Sequence, residues 1–285
     1  REDAVRPIDL IARPNRDLVL LEGSRRFFSP SAENSRPFGL ACLPAVIQPE
    51  TLLGVSYDEG SALIVASAEV LDGKKQKVET DVVSFDFGLV GSESLEWSEI
   101  HSDLLFTAAA ADPEKRLVYL ARPGELYVAD MAAKKPKPEL LSTFDDSINF
   151  NQMELDRIGN RLLATDRDAG SLYLMDLSLE TPLPVLEASD LGPVVEMELS
   201  QEDSSLLLIN TAGKRVLEVE CPRGSDGCSP PELFASIPEF EQPLSVARAA
   251  DGTVWVGDLG AQSIFGFDAD GNLSEVLDSM SGFQE

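Results

Sequence analysis

An apolar run of three or four residues, each time behind a turn rich in Asp, Gly, Asn, Glu or Pro, recurs from one end of the chain to the other. Leu18-Val19-Leu20-Leu21 follows Pro14-Asn15-Arg16-Asp17, and Leu63-Ile64-Val65 follows Asp58-Glu59-Gly60. Leu117-Val118-Tyr119-Leu120 follows Asp112-Pro113-Glu114-Lys115. Leu162-Leu163-Ala164, Leu206-Leu207-Leu208-Ile209 and Val254-Trp255-Val256 continue the series behind Gly159-Asn160, Glu202-Asp203 and Asp251-Gly252. The leading positions stand 45, 54, 45, 44 and 48 residues apart. Such spacing means that one supersecondary unit is repeated along the chain.

The last copy shows what the unit contains. Val254, Trp255 and Val256 have the composition of a strand covered on both faces. Residues 258–262 form a turn, 264–267 a second strand, 268–272 another turn and 273–277 a third strand, with a further strand ahead at 244–250. Earlier repeats follow the same order, with strands expected at 82–87, 126–130, 172–176 and 216–220 and again at 95–100, 139–144, 184–188 and 232–237. Four short strands every 40 to 50 residues are the pattern of a β-propeller blade. One such sheet cannot bury both faces alone, so the repeats must pack face to face. The expected fold is all-β, a six-bladed β-propeller of four-stranded antiparallel blades in a single domain over residues 1–285. Its blades fall near 5–47, 48–101, 102–145, 146–190, 191–240 and 241–285. No amphipathic helix is visible. Residues 71–80, LDGKKQKVET, account for the long second step and read as a loop protruding into solvent. The strand at 273–277 completes the last blade and residues 5–12 begin the first, so no strand exchange is needed.

Charge and cysteine usage bound the partners and the setting. A net charge of −27 repels phosphate backbones and anionic lipid, which argues against nucleic-acid binding and membrane docking. No stretch is long and apolar enough for a transmembrane segment. The basic tips Lys74, Lys75, Lys77 and Lys115, and Lys134, Lys135 and Lys137, read as solvated turns, with steering of a partner as the functional alternative. Cys221 and Cys228 bracket the turn-forming residues 222–227, so a disulfide closes easily there; the alternative is a pair of free thiols. The disulfide implies an extracytoplasmic location: periplasmic, surface-attached or secreted. The start at Arg1 is consistent with a processed N-terminus. Cys42, among Leu40, Ala41 and Leu43, reads as an inert buried thiol, and with His101 it is too little for zinc.

Residues 243–277, PLSVARAADGTVWVGDLGAQSIFGFDADGNLSEVL, resemble a blade of the NHL and SMP-30/gluconolactonase type of six-bladed propeller, the TolB-like superfamily. Residues 151–167, NQMELDRIGNRLLATDR, are similar to a strand pair of that family. The resemblance implies a divalent-metal site at the mouth of a central channel, built from a Glu, Asn side chains and an Asp at strand starts. Asn151 falls where an Asn ligand of that pattern stands, whereas the family's Asp falls on Leu244. Where the first blade should offer Glu the chain has Ile8-Asp9-Leu10, and Asp9 stands in only with a register shift. Hard cations such as Ca²⁺ take six to eight oxygens, so this donor set is short.

Other chemistries have less to stand on. His101 is the only histidine, a histidine base would rest wholly on it, and a turn residue is the simpler reading. Asp145-Asp146 and the pair Asp166/Asp168 read as solvated turns, and 268–272 as a hairpin turn without the Glu that closes a calcium loop. Asn272-Leu273-Ser274 matches a glycosylation sequon. Trp97 and Trp255 lie inside strand patterns and make no sugar-stacking platform. The expected function is that of a non-catalytic, extracytoplasmic protein-interaction or scaffold module with a protein partner and no cofactor. Phe27, Phe28, Phe38, Phe240 and Phe283 are candidate contacts, with core closure as the alternative. The other function class is an SMP-30-like, divalent-metal-dependent hydrolase or lactonase using Asn151 and Asp9, with Ca²⁺ or another divalent cation.

Overall fold

The computed structural model describes residues 7–12, 18–22, 26–28, 52–58, 61–72, 75–86 and 96–278 except 101, 103, 225, 226 and 250, with side chains over 100–277. The expectations for Phe38, Cys42, His101 and Phe283 fall outside these residues, and those for the side chains of Phe27, Phe28 and Trp97 outside the described side chains. Every regular element described is a strand. No helix among the described residues is long and apolar enough to cross a membrane.

The strands form consecutive antiparallel meanders. The first holds β1 (Pro7–Ala12), β2 (Leu18–Glu22) and β3 (Arg26–Phe28). The second holds β4 (Leu52–Asp58), β5 (Ser61–Asp72), β6 (Lys75–Asp86) and β7 (Glu96–Ile100), and the third β8 (Ala108–Asp112), β9 (Leu117–Arg122), β10 (Glu125–Asp130) and β11 (Glu139–Thr143). Next come β12 (Phe150–Asp156), β13 (Arg161–Asp166), β14 (Ser171–Asp176) and β15 (Val185–Ala188). They are followed by β16 (Val194–Leu199), β17 (Ser205–Asn210), β18 (Arg215–Glu220) and β19 (Glu232–Ala235). The last sheet is β20 (Pro243–Arg248), β21 (Val254–Asp258), β22 (Ser263–Phe267) and β23 (Leu273–Asp278). Each recurrent apolar run is the second strand of its sheet.

Two compact units result. Residues 44–190 make one, in which the first strands β4, β8 and β12 lie against one another. β8 explains why its sequence is four alanines. Ala109 and Ala111 join one buried cluster with Phe106, Val118 and Leu120, while Ala108 and Ala110 join another with Phe150, Met153 and Leu162. Alternate residues of a strand point to opposite faces, and with sheets on both sides only small side chains fit.

Residues 1–43 and 191–285 make the other unit. Its core between the sheets β16–β19 and β20–β23 joins Leu207, Ile209 and Val216 to Val246, Val256, Phe265 and Phe267. β1 lies against β20 and β21 in this unit, β23 pairs with β22, and β1 pairs with β2. Among the described strands, the sheet nearest each chain end pairs only strands that follow one another in sequence.

The insertion at 71–80 is not a loop. β5 and β6 stay in register from Ser61↔Asp86 to Asp72↔Lys75, so it is the far end of a long hairpin. The charged residues there ride on a ladder that the backbone holds.

Candidate functional site

The strand ends carry the chain's recurrent polar chemistry. Asp166, Asn210 and Asp258 are the last residues of β13, β17 and β21, and all are buried. Asp258 accepts from the backbone N–H groups of Gln242 (2.8 Å) and Ala261 (2.9 Å) on Oδ1 and of Glu241 (2.8 Å) on Oδ2. Asp166 accepts from the N–H of Asn149 at 2.9 Å and of Asp168 and Ala169 at 3.0 Å. Asn210 matches its amide to a different pair: Oδ1 accepts from Gly213 N–H at 2.7 Å, and Nδ2 donates to the Leu191 carbonyl at 2.6 Å. Each side chain ties the turn after its own strand to the segment that enters the first strand of the same sheet. The turn residue four places on has positive φ in all three (Gly170 60°, Lys214 49°, Gln262 53°).

At the opposite ends of the sheets Asp112 and Asp156 are also buried. Asp112 holds Lys115 through its N–H (3.1 Å) and its ammonium (3.2 Å), and Asp156 holds Gly159 N–H (2.8 Å) and Arg161 Nε (2.9 Å). These carboxylates are occupied by donors and cations, as buried charges must be. The reading of Asp166 as a solvated turn residue is therefore corrected, whereas Asp168, Asp145 and Asp146 are exposed.

Opposite the buried acids the first strands are bulged. The register skips one residue between Phe150 and Gln152, between Val194 and Glu196, and between Pro243 and Ser245. It does the same between Pro7 and Asp9 and between Leu52 and Gly54. The bulged residues are Asn151, Val195, Leu244, Ile8 and Leu53. Asn151 and Leu244 thus occupy equivalent positions, and the first-sheet equivalent is Ile8. Asp9 sits one residue further, equivalent to Gln152, Glu196 and Ser245. Asn151 and Asp9 belong to different compact units.

Asn151 is half-buried, and its Oδ1 lies 3.5 Å from the buried Thr165 hydroxyl. Beyond the bulges the strands alternate: Gln152 and Glu154, like Glu196 and Glu198, are half-buried, while Met153, Leu155, Met197 and Leu199 fill the core. The period-2 runs QMEL and EMEL carried that signal in the sequence, and the emphasis on Asn151 passed over it. Ser245 is fully buried with its hydroxyl unpartnered. No group of three or more His, Cys, Asp or Glu among the described residues is arranged to hold a metal ion.

The remaining sequence candidates fall into place. Cys221 and Cys228 form a disulfide with Cα atoms 4.1 Å apart, in the connection between β18 and β19. Phe240 is not a surface contact. It is fully buried, edge-on to Phe265 (5.4 Å) and Phe267 (5.8 Å), because the chain entering β20 must seal the core of that sheet. Trp255 lies across Gly266, where a Cβ would meet the indole at 2.9 Å. Lys134, Lys135 and Lys137 are exposed, and Asn272 is exposed in the 268–272 turn with its amide held by Asp268. The outer strands show a different chemistry. Leu140 on β11, Val185 and Leu186 on β15, Leu233 on β19, and Leu273 and Val276 on β23 are all exposed.

No family model and no curated protein matches the chain. Solved structures do. A virginiamycin B lyase from Staphylococcus aureus aligns over 98% of this chain and 86% of its own, at 10% identity and a TM-score of 0.62. A luciferin-regenerating enzyme aligns over 80% and 76% at 14% identity and a TM-score of 0.60. A chain of a nidogen/laminin complex aligns over 94% and 92% at 13% identity and a TM-score of 0.59. At such identities the likeness carries fold and not activity. The chain has an all-β fold of the β-propeller kind, in which the described sheets after the first are four-stranded and antiparallel.

Proposed function

We propose that this chain is a six-bladed β-propeller, one domain over residues 1–285 of the NHL and SMP-30 type, working outside the cytoplasm as a non-catalytic module that holds another protein. The observation that carries the reading is the division of labour among its side chains. The buried acids at the strand ends are committed to backbone N–H groups or cations, whereas the outer strands offer large apolar side chains to solvent. Groups already saturated with donors are poor acids, bases or ligands. Exposed apolar patches suit protein contacts. The likeness to a chain of a nidogen/laminin complex is in keeping with this reading, and the disulfide is in keeping with an oxidising compartment.

A second reading, a divalent-metal-dependent hydrolase or lactonase, is favoured by Asn151 at a bulge and by the likeness to a luciferin-regenerating enzyme. The donor set fits a cation poorly: the equivalent positions are Ile8, Leu53, Val195 and Leu244, whose side chains have no oxygen to give. Melting curves after EDTA treatment, repeated with Ca²⁺, Mg²⁺, Mn²⁺ and Zn²⁺, separate the readings when run beside a lactone and ester turnover screen. The interaction reading expects neither a saturable shift nor turnover. A shift equivalent to about 2.7 kcal/mol at a hundredfold excess over Kd, abolished by Asn151→Ala and accompanied by turnover, overturns it.

A further inference from the structure

β15 is an apolar edge strand. It stands last in its sheet, so one edge meets no other described strand. Successive side chains point to opposite faces of a strand, yet Val185 and Leu186 are 57% and 55% exposed. The strand is therefore apolar and open on both faces. Leu183 (51%) and Leu179 (55%) carry the same character back along the connection from β14. Leu186 pairs with Tyr173 and Val185 with Leu174, both half-buried, so the apolar strip continues onto β14. Natural edges are guarded by lysine or other charges, proline, bulges or shortness; this one has no lysine, although Pro184 precedes it and Glu187 falls at its bulge.

The charge around the strip has one sign. Between Arg167 and Lys214 the chain has no Lys or Arg, and residues 168–190 contain Asp168, Asp176, Glu180, Glu187 and Asp190. A second copy of the chain would bring the same anionic edge and another −27 of charge against it. A segment whose apolar side chains are interleaved with Lys or Arg meets both properties. We propose that β15 is a docking edge for such an extended basic segment of a partner protein, which adds to the sheet as a further strand. Backbone pairing would supply affinity, and the side chains would supply selection. The proposal rests on the interaction reading and gives it a location and a partner chemistry.

The test is selection of phage-displayed random 12-residue peptides on the full chain, followed by titration of a synthetic copy of the enriched sequence. Enrichment of peptides rich in Lys or Arg and apolar residues is expected. Affinity should fall at least tenfold in Val185→Lys/Leu186→Lys and several-fold in the exposed-site variant Glu180→Lys, with unchanged melting temperatures. Raising salt from about 50 to about 500 mM should also weaken binding, because the contributing charges are exposed. Enrichment of acidic or neutral peptides overturns the proposal. Peptides that bind the double variant as well as the wild type also overturn it, but leave the interaction reading standing. Saturable metal binding with turnover removes that reading independently.

Discussion

Exchanging the two kinds of buried strand-end side chain should destabilise the protein in both directions, and for Asn210→Asp the deficit should depend on pH. Asp258 receives three N–H groups at 2.8, 2.8 and 2.9 Å and is fully buried. In Asp258→Asn the retained oxygen still accepts from Gln242 and Ala261, but an NH₂ group faces the N–H of Glu241. One charge-assisted bond is lost, two become neutral and a buried donor is orphaned. With charged bonds contributing about 1.5–3 kcal/mol and an orphaned donor costing about 1–3, a net loss of about 3 kcal/mol is expected. For a chain of this size that lowers the melting temperature by roughly 6–12 °C. In Asn210→Asp a carboxylate oxygen replaces the amide that donates to the Leu191 carbonyl at 2.6 Å. Two acceptors then face each other, which raises the new carboxyl's pKa in the folded state. A raised pKa gives stability that is present below the unfolded value and lost as pH rises through the folded one. The Asn210→Asp deficit should therefore shrink in acid, where the protonated carboxyl donates to Leu191, and grow towards neutrality. Differential scanning calorimetry of both variants across pH 3 to 8 (about 3.9 being the unfolded carboxyl value) reads both effects. Melting of Asp258→Asn within about 2 °C of wild type, or a flat Asn210→Asp deficit, would refute the argument that these side chains act through matched donors and acceptors.

Three further outcomes follow from the turns and the crosslink. Gly271→Ala drives a methyl into the Phe234 carbonyl oxygen at φ +77°, and a loss of about 2–4 kcal/mol in urea unfolding is expected. Replacing Cys221 and Cys228 together with alanine removes a short closed loop, for which chain entropy gives about 2.5 kcal/mol, seen as a lower urea midpoint that reducing agent no longer changes. Hydrogen bonds from Ser147, Ser178 and Asn272 hold the carboxyls of Asp145, Asp176 and Asp268 below their ordinary 3.8. Asp203 is pushed up by burial but pulled lower overall by the Ser205 N–H, Ser200 and Arg248. Depressed values give stability that is present above the unfolded pKa and lost as pH falls through the folded one. Melting temperature should thus drop on acidification below about pH 4, and Asp268→Asn should flatten part of that slope.

The strands were legible wherever both faces of a strand are covered. Leu206 to Ile209 is a continuous apolar run because every residue of β17 is buried, and a run of that kind does not depend on knowing its partner. The half-exposed first strands were harder to see, although QMEL and EMEL alternate with the period of two that such strands require. The bulges were not legible at all, because a bulge is a count of two residues against one on another strand. The buried acids were hidden for a related reason. Asp268 and Asp166 both precede short turns and both accept turn N–H groups, yet one is exposed and the other buried. What separates them is that Asp166 ends a second strand and reaches across to the start of the first. The spaced recurrence of Asp or Asn at 166, 210 and 258, with Ala or Gly three residues later, was the available clue. The hairpin at 71–80 was misread because its charge pointed to a solvent loop, whereas for Phe240 a partner contact and core closure both stood open, and its burial selects core closure.

The same division between buried and exposed acids fixes how salt must act on this protein. Asp112, Asp156, Asp166 and Asp258 are buried against fixed donors or cations, where mobile ions do not reach. Much of the remaining acid lies at the surface, where a net charge of −27 acts over about 8 Å at physiological ionic strength. Added salt should therefore raise the melting temperature by screening surface repulsion, while the deficit of Asp258→Asn relative to wild type stays constant. An Asp258→Asn deficit that vanishes with salt would mean that the carboxylate works through its charge at a distance and not through its three N–H contacts. The surface term is also the one that a basic partner would relieve, so the conditions that weaken partner binding are the ones that stabilise the free chain.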